Sequence, residues 1–299
     1  MPAPPRQDLV AAELVAVITA VHGGVPLVLT TADGRQLPAG PLQAEHRSLQ
    51  TGMRSWVARQ TGYELGYIEQ LYTFAGWDRG PVPLLEVSYL GLTAHPIATD
   101  GWRSWTEYFP WEDGREGGTI VDDVIAPALE QWAAADGVAQ AERRRQRCAV
   151  TFGLDGNPWL PGMTLQRYEL LYEAGLVPEA RDGEPGPVPG AAMAHDHRRI
   201  LATGIGRLRA KIQYRPLAFE LLPAEFTLGR LQGTVEAVAG QLVHKQNFRR
   251  LIEQQDLVEE TGELDATTGG RPAKLFRFRR EVIDERDAAG TKLPIARSR

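Results

Sequence analysis

The chain has 299 residues and a formal net charge of -5, from 33 Lys and Arg against 38 Asp and Glu. At ~150 residues per domain this length predicts two domains. A hydrophobic share of 43% and a charged share of 24% exclude collagen, coiled coil and wholesale disorder. The mild acidity excludes a histone-like coat of basic charge but permits local basic patches. The single cysteine, Cys148, allows no internal disulfide and no Cys-based zinc site; it reads as a small buried residue at a helix end. A cytoplasmic location is expected, with no membrane association. The longest early apolar run, 14–21, is far short of the ~20 residues that span a bilayer, and it lacks the basic start of a signal peptide.

In chain order, 14–21 and 25–30 are β-prone runs joined by Gly23-Gly24 and predict a hairpin. Helix formers at 54–60 stop at Gly62, a helix C-cap. Residues 67–74 and 84–92 carry the Leu, Val, Ile and Tyr of half-buried strands. Residues 94–118 gather Trp102, Trp105, Tyr108, Phe109 and Trp111 in an irregular loop. Such a loop is costly to leave exposed, so it packs over the core or lines a ligand pocket. A long helix is predicted over 119–147, with its basic run 142–147 at the C-terminus, where cations oppose the helix dipole. Asp122 and Asp123 suit the first turn of that helix for the converse reason. A short helix over 163–174 precedes a Pro/Gly linker at 181–190. A further helix over 192–213 carries an apolar stripe of Ile200, Leu201, Ile205, Leu208 and Ile212.

A compact unit follows Pro216. Thr227 can cap a helix on which Leu228, Leu231, Val235 and Val238 share one face. A tight break at 239–241 leads to a second helix. Phe248, Leu251 and Ile252 point inward from it, while Lys245, Gln246, Asn247, Arg249 and Arg250 stay outside. Two short helices across a glycine turn form a helix-turn-helix, whose second helix enters the DNA major groove. Arg reads guanine, Asn and Gln read adenine, and Lys or Arg neutralises phosphate. Residues 257–263 and 273–278 are two strands of a hairpin wing, whose return arm carries Arg271, Lys274, Arg277, Arg279 and Arg280 before the next acid, Glu281. Along that arm Lys274, Phe276 and Phe278 alternate with Leu275, Arg277 and Arg279, so one face can pack while the other stays charged. The expected DNA-binding residues are Thr227, Lys245, Gln246, Asn247, Arg249, Arg250, Arg271 and Lys274. Acids at 253–265 separate the two basic runs and would limit non-specific DNA binding.

The runs LLPAEFTL at 221–228, HKQNFRR at 244–250, LVEETG at 257–262 and GRPAKLFRF at 270–278 resemble the winged helix-turn-helix of the Nudix-related transcriptional regulators of NAD metabolism, the NrtR family. The resemblance is closest to the alphaproteobacterial NAD regulator branch. It continues in DHRRILA at 196–202, similar to the last helix of that family's Nudix-like domain, and in YTFA at 72–75 and VSYLGL at 87–92, similar to its central strands. It implies an α/β (α+β) fold class: a Nudix-like α/β/α sandwich over 1–216, with a helical elaboration at about 95–190, then a winged helix-turn-helix over 217–283 and a flexible tail over 284–299. It further implies a homodimer on a palindromic double-stranded DNA operator, regulation of NAD biosynthesis genes, and a nucleotide effector: NAD, ATP or ADP-ribose.

A hydrolytic Nudix box, G-x5-E-x7-R-E-U-x-E-E-x-G-U, uses its glutamates to hold the cations that activate water. With its end aligned on Thr61-Gly62-Tyr63, the Arg-Glu pair falls on Ser55 and Trp56. The Glu-Glu pair falls on Arg59 and Gln60, and the earlier Glu on Arg47. Cations cannot replace carboxylates around Mg²⁺, so no catalytic residue, no metal and no pyrophosphohydrolase activity are expected. Arg47 and Arg59 either face the phosphates of a bound nucleotide or are ordinary surface charges. With Trp77, Arg79 and Trp102 they form the expected effector-binding set. His195 and His197, two apart, splay around a helix and make a poor metal pair. The leading reading is a ligand-responsive repressor that needs no cofactor. The alternatives are a divergent Nudix hydrolase of ADP-ribose-like substrates with an accessory DNA-binding domain, and an architectural DNA-binding protein that uses the Nudix fold for dimerisation.

Overall fold

The computed structural model describes residues 10–63, 66–76, 82–96, 100–135, 137–213, 215–266, 272–279 and 281. Its first unit is built on a six-stranded mixed sheet. The hairpin of β1 (Ala11–His22) and β2 (Val25–Leu29) forms as expected. The short β3 (Ala39–Pro41) also pairs with β1. β4 (Tyr67–Gly76), β5 (Leu84–Leu92) and β6 (Trp102–Ser104) complete the order β4-β5-β1-β2-β6. The β1–β5 pair is parallel and the others are antiparallel. The central β1 is buried on both faces, which explains its continuous apolar run.

Between β3 and β4 lies α1 (Leu49–Thr61), capped by the Ser48 hydroxyl and ended at Gly62. Its Met53 and Val57 cover Leu14, Ala16, Ile18, Val87 and Tyr89 on one face of the sheet. The opposite face is covered by α5 (His197–Ile212). Its stripe of Ile200, Leu201, Ile205 and Leu208 joins Val15, Val17, Leu90 and Leu92 in the main core. Gly204 brings the helix onto the sheet: a Cβ there would lie 2.7 Å from the Val17 side chain. The result is the α/β/α sandwich.

Residues 105–193 add a second layer on the α5 side. Trp105, Tyr108, Phe109 and Trp111 are buried in the main core, so the aromatic segment packs inward, with Trp102 only half-buried. The helix expected over 119–147 is two helices. A π-type turn, Val121–Ile125, leads into α2 (Ala126–Ala134), and α3 (Val138–Phe152) follows after a break. The basic run 142–147 therefore lies mid-helix rather than at a C-terminus. It is balanced sideways: Arg145 binds Glu130, Arg147 binds Glu173, and Arg144 stacks on Trp132. Cys148 is buried, and burial pushes its thiol up to about 11, so it stays protonated. After α4 (Thr164–Glu173), the segment 181–190 is no free linker. Val188 is buried and its N–H reaches the Leu176 carbonyl. Nearby, Glu179 pairs with the buried Arg198 at 3.0 Å.

The layers converge on one carboxylate. Glu112 ends a short turn after the aromatic cluster and is fully buried between Arg167 of α4 and Arg209 of α5, also buried. Arg167 donates Nε–H to Oε1 at 2.6 Å and Nη2–H to Oε2 at 2.9 Å. Arg209 pairs with Oε2 and donates Nη2–H to the Glu112 carbonyl at 2.8 Å. Burial alone would raise the Glu112 carboxyl, but the two guanidiniums hold it below its ordinary value.

The second unit has its own small core of Ala218, Leu222, Phe226, Leu231, Phe248 and Ile252. Its elements are β7 (Glu225–Phe226), α6 (Leu228–Ala239), α7 (Lys245–Gln255), β8 (Val258–Asp265) and β9 (Ala273–Phe278). The strands form a sheet ordered β7-β9-β8. The far end of α6 leaves this core: Ala237 and Val238 belong to the main one.

Glu112→Leu strands two cations in the interior, and this is expected to cost about 3–5 kcal/mol in urea unfolding. Because the folded carboxyl lies below the ordinary value of 4.5, its stabilisation is complete above that pH and is lost as pH falls further. A change under ~1 kcal/mol at neutral pH, the range of a surface pair, contradicts this role.

Candidate nucleic-acid interface and ligand face

Local sequence sets the geometry of the second unit. The Thr227 hydroxyl accepts from Arg230 N–H at 3.1 Å and starts α6. Gly240 ends it at φ 68°, a left-handed conformation that costs glycine little. Phe248 and Ile252, one turn apart on α7, anchor that helix in the small core. Lys245, Gln246, Asn247, Arg249 and Arg250 are all exposed, as the sequence predicts. Leu251, expected to point inward, is half exposed and lines a groove between α7 and the end of α5. Among the described residues no ion pair engages Lys245, Arg249 or Arg250, so this face carries unopposed positive charge.

The wing differs from its linear reading. Its hairpin forms from the expected strands, and Phe276 and Phe278 pack inward. Its cations, however, are countered by acids of β8 and the turn before it. Lys274 holds both oxygens of Glu260 at 2.9 Å, Arg277 pairs with Glu259, and Arg279 pairs with Asp256. Each described cation of the basic arm is thus paired with an acid in space. Arg271 and Arg280 lie outside the described residues. Thr227 is the N-cap of α6 and is not part of the exposed face of α7.

At the Nudix-box positions, side chains of α1 grip the neighbouring strand. The Gln60 amide accepts from Ala39 N–H at 3.1 Å and donates to the Ala39 carbonyl at 2.6 Å. The Trp56 indole donates to the Pro41 carbonyl at 2.9 Å. Arg59 stacks on Trp56 at 4.1 Å and is exposed, as is Arg47. Trp102 packs beside Tyr63 on the same face of the sheet as α1. Trp77 and Arg79 lie outside the described residues. No carboxylate occupies an aligned box position, and among the described residues no three His, Cys, Asp or Glu converge as metal ligands. The two histidines are not splayed by a helix: His195 precedes α5 at φ 57° and its ring lies 6.2 Å from that of His197. His195 is exposed, whereas buried His197 accepts from Leu37 N–H through Nδ1 at 2.8 Å.

Two hollows accompany this geometry. One of about 250 Å³ lies between β1, β3 and the start of α5, lined by Glu13, Gln60 and both histidines. A cleft of about 550 Å³ separates the sheet end at Tyr63, Tyr67 and His95 from Phe219 and Phe278 of the second unit. Arg47, Arg59 and Trp102 line neither. The residues that sequence reasoning missed are Glu112, Arg167, Arg209, Gln232 and Glu236. Glu112 lies 55 and 97 positions from Arg167 and Arg209, beyond any local spacing, whereas Gln232 and Glu236 are four apart and read as an ordinary surface pair on a helix.

Residues 218–278 match the family model described as the NrtR DNA-binding winged helix domain. The chain is 37% identical over 92 residues to the ADPR responsive transcriptional repressor NtrR of Acinetobacter baylyi; the match covers 31% of this chain and 36% of that relative's length. In three dimensions it is similar to Shewanella oneidensis NrtR complexed with a 27mer DNA, with a TM-score of 0.53 at 20% identity, covering 91% of this chain and 95% of that one. It is also similar to a MutT/nudix family protein from Enterococcus faecalis, with a TM-score of 0.52 at 16% identity, covering 93% and 89%. The fold is therefore a Nudix-like α/β domain followed by a winged helix domain.

Proposed function

We propose that this chain is a DNA-binding transcriptional repressor of the NrtR kind, whose non-catalytic Nudix-like domain senses ADP-ribose or a related adenine nucleotide, NAD or ATP. The observation that carries the reading is α7, with its unopposed basic face, inside a segment that matches a DNA-binding winged helix. In this reading Asn247, Gln246 and the arginines of α7 reach base edges. Lys245, Lys274 and Arg271 hold the backbone, and the Thr227 end of α6 lies against it. The operator is palindromic and the protein a homodimer, each copy presenting one α7 to successive major grooves. Genes of NAD biosynthesis are the targets, as in the alphaproteobacterial branch.

The effector reading assigns phosphate and base contacts to Arg47, Arg59 and Trp102 at the α1 face, and adds Trp77 and Arg79 from the sequence alone. Cations stand where a hydrolase has carboxylates, which favours holding phosphate without metal. The name of the Acinetobacter baylyi relative, an ADPR responsive repressor, supports ADP-ribose. Gln60 and Trp56, committed to the backbone of β3, argue against the hydrolase alternative.

Fluorescence anisotropy with labelled upstream duplex tests the whole reading: ADP-ribose, NAD or ATP must change the affinity. If none does, the sensing role fails; Mg²⁺-dependent ADP-ribose hydrolysis lost on mutating a single acidic residue would restore the enzyme alternative. Within the interface, Asn247→Ala is expected to lose ~1–3 kcal/mol of discrimination between operator and random DNA. Equal losses on both contradict base reading. Lys274→Ala weakens all sequences alike and flattens the salt dependence. Glu260→Gln releases Lys274 and steepens it, by about one counterion; an unchanged slope in both variants removes Lys274 from the interface.

A further inference from the structure

The turn that launches α7 is built partly by the first unit. The Gly240 carbonyl accepts from Gly114 N–H at 2.8 Å. A Cβ on Gly240 would lie 2.1 Å from the Glu112 carbonyl oxygen, so the two backbones are in direct contact. One residue pair back, the Val238 carbonyl accepts from Arg209 Nε–H at 2.7 Å. On the far side of the turn, Glu236 accepts from Val243 N–H at 3.0 Å, and Gln232 donates to Glu236 at 2.9 Å and to the Val243 carbonyl at 3.1 Å. The same segment reaches the sheet: Asp113 binds Arg115 at 2.8 and 2.6 Å, and Arg115 donates to the Gly24 carbonyl at 2.8 Å in the β1–β2 turn.

We propose that Glu112, acting through Arg209, and the Gly114–Gly240 contact are positioning elements for base reading: residues 112–115 of the Nudix-like domain set where α7 lies. The inference rests on the DNA-reading role of α7. Apart from Phe248 and Ile252, what aims this helix is the point at which it leaves the turn. Its 11 residues extend about 16 Å, so a small displacement at the turn grows along it. Base contacts fail with such displacements, whereas non-specific phosphate attraction tolerates them. The Nudix-like domain thereby affects sequence discrimination without touching DNA.

The test uses the full chain and a duplex selected from a random pool by the wild-type protein. Arg209→Met removes the bonds to Val238 and to the Glu112 carbonyl, yet leaves Glu112 paired with Arg167, so no lone charge is buried. Gly240→Ala keeps every buried charge but drives a Cβ against the Glu112 carbonyl and strains the left-handed turn. Both are expected to lower the ratio of selected-site to random-DNA affinity by about tenfold or more, with random-DNA affinity and its salt slope unchanged. Amide exchange over 241–252 should rise while the sheet amides stay protected. Arg209→Lys, which keeps the charge but not the fork, should fail to restore the ratio; restoration by Lys overturns the positioning role. If Arg209→Met does not fold, Gly240→Ala decides. A ratio within about twofold of wild type in a folded variant, well inside the cost of one lost base contact, overturns the inference and leaves DNA reading intact. If the wild type selects no sequence, DNA reading itself fails, and this inference fails with it.

Discussion

One buried carboxylate organises this chain. Glu112 sits between two guanidiniums, and all three side chains are fully buried. Such a cluster holds together when every remaining N–H finds an acceptor. Here the acceptors are backbone carbonyls from separate places: Thr151, Leu160 and Pro161 for Arg167, and Val238 and Glu112 itself for Arg209. Each carbonyl belongs to a segment that would otherwise end in solvent or in an unsatisfied core. The cluster therefore fixes the end of α3, the turn before α4, the last turns of α5 and the end of α6 by one electrostatic demand. Trp159, stacked on Arg167 at 3.9 Å, closes it.

This arrangement explains the long elaboration between β6 and α5. A sandwich of one sheet and two helices has no need of α2, α3 and α4. A domain that must also hold a second unit does, because Arg209 can face Val238 only if its charge is balanced from the other side. The aromatic segment supplies Glu112, α4 supplies the second arginine, and the strap after α4 is tied back through Glu179 and Arg198. The box helix shows the same shift from chemistry to support. Gln60 uses both ends of its amide to mimic a strand neighbour for Ala39, which is something a glutamate could not do: it has acceptors but no donor.

The parts of this fold legible in the sequence were those with a local period. The β1–β2 hairpin, α1 with its Gly62 stop, the α5 stripe and the two helices after Pro216 each declare themselves within a dozen residues. Two kinds of feature did not. The break between α2 and α3 was marked only by Gly137, a poor helix former that caps α3, set between longer runs of good helix formers that outweighed it. The Glu112 cluster joins residues 55 and 97 positions apart, each of which reads alone as an ordinary surface charge. The candidate interface divides in the same way. The exposed face of α7 follows from periodicity, whereas the pairing of Lys274 with Glu260 depends on hairpin register, which a running tally of charge ignores.

That register changes what the net charge means. The acids of 256–260 do more than separate two basic runs: they pair with Lys274, Arg277 and Arg279 of the second. Exposed pairs of this kind are worth ~1 kcal/mol or less, so a phosphate can displace Glu260 from Lys274 at little cost, but distant DNA meets a ribbon with almost no field. Within about a Debye length, ~8 Å at physiological salt, the positive field of this unit then comes mainly from Lys245, Arg249 and Arg250 on α7. Approach is steered by the same helix that reads bases, and the wing contributes only on contact. A wing of unpaired cations would instead draw the protein to any duplex in any orientation. The small negative total and a helix suited to DNA are consistent, because opposite charges are placed to be exchanged for phosphate at short range.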